Sequence, residues 1–289
     1  MALMKITPIK ASERLKSLTE TPLYVKALIY GNSGAGKTWL ACTAKNPLLI
    51  LSEWAVARPT LAKLHIDFGI DPDTIYVNSL ADFDDAYDYA AAHAADYSTI
   101  VVDGLTDLND RAMDEILVEN TRLAALNDRV HVADRLEIGD WGQVANRTLK
   151  MARKFRDLPC DVVMTALSMD VKQEMFTIPM LVPKTVQKRI AAYFNFVGFL
   201  DVDITPNKLT QRKLYINLTN IYQAKNPGGA LEGVIVNPHM GQIITQVHEY
   251  LTKPNAPIAA GSPVVDGDMI INVKPRIKPL TNVVIEGGE

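Results

Sequence analysis

Residues 31–38 read Gly-Asn-Ser-Gly-Ala-Gly-Lys-Thr and directly follow the apolar run Val-Lys-Ala-Leu-Ile-Tyr at 25–30. Glycine-rich spacing of the form G-x-x-x-x-G-K-[ST], set between a buried strand and a helix starting near Lys37, describes a phosphate-binding loop. Gly31, Gly34 and Gly36 let the backbone curl, so that the N–H groups across Asn32, Ser33 and Ala35 and the helix N-terminus can point at phosphate oxygens. On this pattern Lys37 reaches the β- and γ-phosphates and the Thr38 hydroxyl ligates a magnesium ion. The expected ligands are therefore a nucleoside triphosphate, ATP foremost, and Mg2+.

Such a loop needs a sheet to carry it, and the chain supplies the pattern of one. Short apolar runs at 47–52, 74–77, 98–103 and 161–167 read as strands, and between them lie stretches with helical character at 82–95, from Thr106 or Asp107 to about Asn127, and at 140–158. The first of these helices is expected to be capped near Asp82 or Asp84. Alternation of this kind predicts an α/β fold with a largely parallel twisted sheet flanked by helices. Further on, 194–202 and 213–219 alternate as paired strands about a turn at 206–208, and 241–251 reads as a closing helix. The expected organisation is an extension over residues 1–22, one domain over 23–252 and a proline-rich tail over 253–289 with a short strand at 269–273.

Two acids stand where nucleotide chemistry needs them. Asp103 ends the run Thr-Ile-Val-Val-Asp and is the candidate for holding the metal's water shell at the end of a strand neighbouring the loop. The alternative reading is an ordinary turn aspartate before Gly104. Glu53 directly follows the second strand, at the carboxyl edge of the sheet, and is the candidate to activate an attacking water. On spacing alone it is also a solvated loop glutamate. Trp54 and Arg58 are candidates for base or ribose contact, against a packed tryptophan and a loop arginine.

The order of loop, second strand ending in Glu53 and strand Thr-Ile-Val-Val-Asp103-Gly-Leu-Thr resembles the RecA-type ATPase core. In particular it resembles compact phage-encoded RecA-like ATPases, including the Sak-type single-strand-annealing proteins. Asp140-Trp-Gly, Leu158-Pro-Cys-Asp-Val-Val-Met-Thr-Ala and Ala192-Tyr-Phe-Asn-Phe-Val-Gly look like later segments of that family, and the similarity covers about residues 23–226. The resemblance implies a RecA-like fold, ATP hydrolysis with Glu53 as base and Lys37 stabilising charge, self-assembly into a homo-oligomer, and action on DNA in phage recombination or annealing. It also implies the cytoplasm of the host cell as location.

Two departures from the family pattern stand out. Leu167, followed by Ser168, occupies the place of a polar sensor, so γ-phosphate sensing falls to Ser168 or Thr165, or is weak. Lys225 stands in Ala-Lys-Asn-Pro where relatives carry a basic pair, and is the candidate for a cation acting across a subunit boundary. Slow or partner-dependent hydrolysis is the expectation.

Single-stranded DNA contact would fall to Arg147, Lys150 and Lys154, with Arg153 and Arg156 on the same helix, and to Lys184, Lys188 and Arg189. A solvated basic helix face explains the first group equally well. The segment 172–184 reads as a mobile loop or as a hairpin. The tail is a candidate for recruiting a single-strand-binding protein. The alternative function is an ATP-dependent switch or loader for another replication or recombination protein, with little direct DNA binding. A small-molecule kinase is a further rival, without an arginine-rich lid to support it.

The remaining features narrow the classes. A net charge of -3 gives no globally basic surface, Cys42 and Cys160 sit in apolar surroundings without metal-binding spacing, and the five histidines are dispersed. No uninterrupted apolar run approaches the roughly 18 residues of a membrane span, so no membrane partner is expected.

Overall fold

The computed structural model describes residues 21–127, 135–171, 176–204, 210–231, 233–252, 265–266 and 269–270. β1 (Lys26–Gly31) is buried along its whole length, which a strand can be only when layers cover both its faces. Around it the chain builds β2 (Pro47–Leu51), β3 (Asp73–Tyr76), β4 (Thr99–Asp103), β5 (Asp161–Val171), β6 (Phe176–Pro179), β7 (Phe196–Ile204), β8 (Thr210–Tyr215) and β9 (Val234–Val236). These form one nine-stranded sheet in the order β3-β2-β4-β5-β1-β7-β8-β9, with β6 paired to the far end of β5.

The pairings from β3 to β7 are parallel, and β7–β8, β8–β9 and β5–β6 are antiparallel. Period-two alternation then sorts the side chains into two cores. Leu28, Tyr30, Ile50, Val102 and Met164 face α3 (Leu80–Ala92), α4 (Leu105–Leu126), α5 (Ile138–Arg156) and α6 (Lys184–Ile190). Ala27, Ile29, Leu49, Val101 and Val163 face α1 (Lys37–Cys42), α2 (Trp54–Phe68) and α7 (Met240–Thr252). The result is a three-layer α/β core built on a largely parallel sheet, as the alternation of elements predicts. Cys42 and Cys160 are free and buried in these layers.

Several expectations change in detail. α2 is absent from the sequence reading, because Pro59 lies inside it and its apolar residues follow no clear helical stripe; Gly69, left-handed at φ 66°, ends it. α3 is capped by Ser79, whose Oγ accepts the Asp82 N–H at 3.1 Å, while Asp82 Oδ2 accepts the Asn78 N–H at 2.9 Å. Asp82 is thus the third residue in from the cap rather than the cap itself, and Asp84 lies further along the helix. β5 runs on to Val171 and folds back as a hairpin with β6, so the described part of 172–184 is hairpin and the start of α6.

The β7–β8 pair forms, but β8 starts at Thr210 and ends at Tyr215 instead of spanning 213–219, and the turn at 206–208 lies outside the described residues, as do residues 1–20. From Lys253 onward the chain is a separate unit, in which β10 (Val265–Asp266) and β11 (Met269–Ile270) pair antiparallel. Residues 271–273 of the expected tail strand are not among those described. No helix among the described residues is long and apolar enough to cross a membrane.

Candidate functional site

The loop between β1 and α1 is fixed by sterics on both sides. At Gly31 a Cβ would lie 2.2 Å from the carbonyl oxygen of Leu200 on β7, a backbone atom with no room to retreat. Gly36 stands at φ 95° as the cap of α1, a conformation that side chains disfavour. Ala35 N–H donates to Asn32 O at 3.2 Å, closing the turn. Lys37 Nζ arches over it and donates to Gly31 O at 3.0 Å and Asn32 O at 2.8 Å.

Asp103 sits at the end of β4, which is not adjacent to β1: β5 lies between them. The neighbouring-strand expectation is corrected to next-but-one, and the intervening strand supplies the connection. Thr38 Oγ1 donates to Asp103 Oδ2 at 2.6 Å, Thr165 Oγ1 on β5 donates to Asp103 Oδ1, and Gly104 N–H donates to Thr165 Oγ1 at 3.2 Å. A buried carboxylate held on both oxygens costs far less than an unpartnered one. Thr165 spends its hydroxyl proton on Asp103 and lines the cavity, whereas Ser168, which does not line it, meets the loop through Oγ, donating to Asn32 Oδ1 at 2.7 Å.

Glu53 follows β2, which β4 and β5 separate from β1, so it does not lie immediately beside the loop. It nonetheless lines the same cavity of about 680 Å³ as Lys37, Thr38 and Asp103. Partial burial, then the charges of Asp107 and Asp103, push the Glu53 carboxyl above the ordinary glutamate range, with Lys37 and Arg111 opposing. Burial likewise lowers the Lys37 pKa against the pull of Asp103 and Glu53. Arg111 braces the acidic wall: Nε donates to Asp107 Oδ2 at 2.6 Å, and its terminal nitrogens donate to Asn78 O at 2.6 Å and Ser52 O at 3.2 Å. Trp54 and Arg58 do not line the cavity, whereas Trp39, Lys63 and Arg212 do. These three follow no motif; the position of Trp39 directly after Thr38 is the one signal that was available.

The donor set fits a magnesium nucleotide. Glycines leave a backbone cradle, a lysine spans it, and a hydroxyl and a carboxylate meet 2.6 Å apart beside it. No group of three or more His, Cys, Asp or Glu suited to a metal exists among the described residues, so a cation here would depend on Thr38, Asp103, water and phosphate oxygens.

The other predicted residues lie elsewhere. Arg147 on α5 pairs with Glu119 at 2.6 Å and Glu115 at 4.0 Å, and Lys154 pairs with Asp84 at 2.6 Å. Arg153 and Arg156 cover the ring of Tyr193, and Lys150 shares a surface hollow with Arg147, Lys154, Asp84 and Glu115. Lys184 opens α6, while Lys188 and Arg189 occupy its last turn. Lys225 bridges Val197 of β7 and donates from Nζ to Phe194 O at 2.8 Å.

Comparison with solved structures finds similarity to the KaiC-like protein PH0186 of the hyperthermophilic archaeon Pyrococcus horikoshii OT3, at 14% identity and a TM-score of 0.33, over 75% of this chain and 91% of that one. Comparison with curated proteins gives no match. A family model described as AAA domain (AAA_24) matches residues 23–227. That match runs from the strand before the loop to beyond Lys225 and takes in the whole cavity wall, and with it the chain belongs to the AAA-domain family AAA_24.

Proposed function

We propose that the protein binds ATP with Mg2+ and hydrolyses it, coupling turnover to single-stranded DNA in phage recombination or annealing. The observation that carries the ATPase reading is the bond between Thr38 Oγ1 and Asp103 Oδ2 at 2.6 Å, set beside the glycine cradle and Lys37. The bound cation would supply charge neutralisation at the phosphates. Lys37 orients the phosphate chain and offsets negative charge, the loop N–H groups hold the oxygens, and Glu53 orients an attacking water and takes its proton. The raised Glu53 pKa makes its carboxylate a stronger base than an ordinary glutamate. Completion of the site in a homo-oligomer, with Lys225 reaching a second subunit, rests on the family resemblance; in this chain the Lys225 ammonium is held by Phe194 O.

The DNA arm rests on Lys184, Lys188 and Arg189 of α6, which follow the β5–β6 hairpin. A second reading is favoured by the ion pairs of Arg147 and Lys154 with α4 and α3, which leave α5 a weaker phosphate track. In it the protein is an ATP-dependent switch or loader for another replication protein.

ATP hydrolysis with and without single-stranded DNA, using Lys37→Ala and Glu53→Gln, decides between them. Stimulation by DNA that both substitutions abolish supports DNA action. Turnover indifferent to DNA, with no binding at low salt, supports the switch, and no turnover under any condition overturns the ATPase reading.

A further inference from the structure

Arg212 belongs to β8, two strands away from the strand that carries the nucleotide loop. Its side chain nevertheless crosses β7 and lies on the loop, where Nε donates to Ala35 O at 3.2 Å. It covers Gly36 so closely that a Cβ there would stand 2.4 Å from Nε and 3.3 Å from Cζ. The guanidinium lines the same cavity as Lys37, Thr38 and Asp103.

The placement is held from behind. Asn237 clamps the Arg212 backbone on both sides, its N–H donating to Arg212 O at 2.7 Å and its Oδ1 accepting the Arg212 N–H at 3.2 Å. Neighbouring charges are spent elsewhere: Asp203, across the β7–β8 pair, is taken by Lys213 at 2.7 Å. Among the described residues no carboxylate pairs with Arg212, and the N–H donors of its two terminal nitrogens have no protein partner. A guanidinium offers donors in a planar fork that matches a phosphate, and it keeps its charge at any physiological pH. A cation anchored by its backbone, with no counter-ion, against the loop that cradles phosphate is short of an anion that the ligand can supply.

We propose that Arg212 is a phosphate ligand acting within its own subunit, a nucleotide contact from the β8 side in addition to the loop and Lys37. The contact is to the phosphate chain and not to the base or sugar. This inference rests on the ATP reading above.

The test is titration of a fluorescent ATP analogue with Mg2+ into the full-length protein, followed by competition with ATP and with inorganic tripolyphosphate. Wild type, Arg212→Ala, Arg212→Lys and Lys37→Ala are compared, with thermal unfolding of each protein alone as the check on folding. Arg212→Ala is expected to weaken ATP and tripolyphosphate by the same factor, about tenfold or more, as for loss of a charged hydrogen bond. Its dependence of affinity on salt should flatten. Arg212→Lys, which keeps the charge without the fork, should fall between Arg212→Ala and wild type.

Arg212→Ala binding within twofold of wild type overturns the inference and leaves the ATP reading intact. Weakening of ATP without weakening of tripolyphosphate overturns the phosphate assignment. If Arg212→Ala does not fold, Arg212→Lys decides on the same comparison of ATP with tripolyphosphate, with an equal loss for both supporting the contact and no loss overturning it. A wild type that binds no nucleotide overturns both the inference and the reading beneath it.

Discussion

Thr38 Oγ1 and Asp103 Oδ2 lie 2.6 Å apart although β5 separates the strand of Asp103 from β1, which leads into the helix of Thr38, and Thr165 of β5 holds the other carboxylate oxygen. The hydroxyl and the acid thus form one unit, positioned by three different elements. Thr38→Ala and Asp103→Asn should each weaken Mg-ATP by about tenfold or more while changing metal-free ATP little. Calorimetric titration with and without Mg2+ checks this, and an equal loss in both conditions would remove the metal role.

Glu53 should impose an acid limb on turnover. A base must be deprotonated, and since burial, Asp107 and Asp103 raise its pKa, activity should fall on acidification at a pH above the ordinary glutamate value. Asp107→Asn removes one of the raising charges and frees Arg111, so the limb should move to lower pH. The same shift has a stability consequence of opposite sense: the stabilisation from protonated Glu53 is full below the ordinary glutamate pKa and is lost as pH rises through the raised one. A pH–rate profile of both proteins reads the limb; an unmoved limb in Asp107→Asn would detach it from Glu53.

Gly31→Ala places a methyl group against Leu200 O in the middle of the sheet. The expected loss is about 1–3 kcal/mol of stability, read as a lower urea midpoint at unchanged slope. Tolerance at wild-type stability would mean that β7 can move away from the loop.

Ser168 meets the loop through Asn32, whereas Thr165 is committed to Asp103. Ser168→Ala should therefore lower turnover several-fold while leaving ADP affinity unchanged. Equal losses in ATP and ADP binding would make the serine a brace for the loop and not a sensor.

Much of this was legible in the residues and some was not, for identifiable reasons. The loop, Asp103 and Glu53 could be named because each terminates an apolar run, where a strand's end puts side chains at the sheet edge. Strand order could not be read: nothing in residues 98–103 or 161–167 says which lies next to β1, and so the role of Thr165 as the link to Asp103 was hidden. Arg212 escaped for a similar reason, since a contact 177 residues distant along the chain has no local signature. α2 was lost to Pro59, whose missing donor argues against a helix that packing of Ala57 and Leu64 nevertheless secures. The partners of the α5 charges on α3 and α4 were hidden for the same reason as Arg212, since an ion pair between two helices has no local signature.

The edges of the sheet carry one more implication. β3, at one end, has four residues and begins with Asp73; β9, at the other, has three. Unpaired edge backbone invites another chain to add on, and short or charged edges discourage it. Among the described residues, these two edges offer little main chain with which to extend the sheet from one molecule into the next. Contacts between copies at these two edges would fall to side-chain surfaces, whose complementarity can be made and unmade with the state of a ligand, rather than to a continuous hydrogen-bonded ladder that would lock.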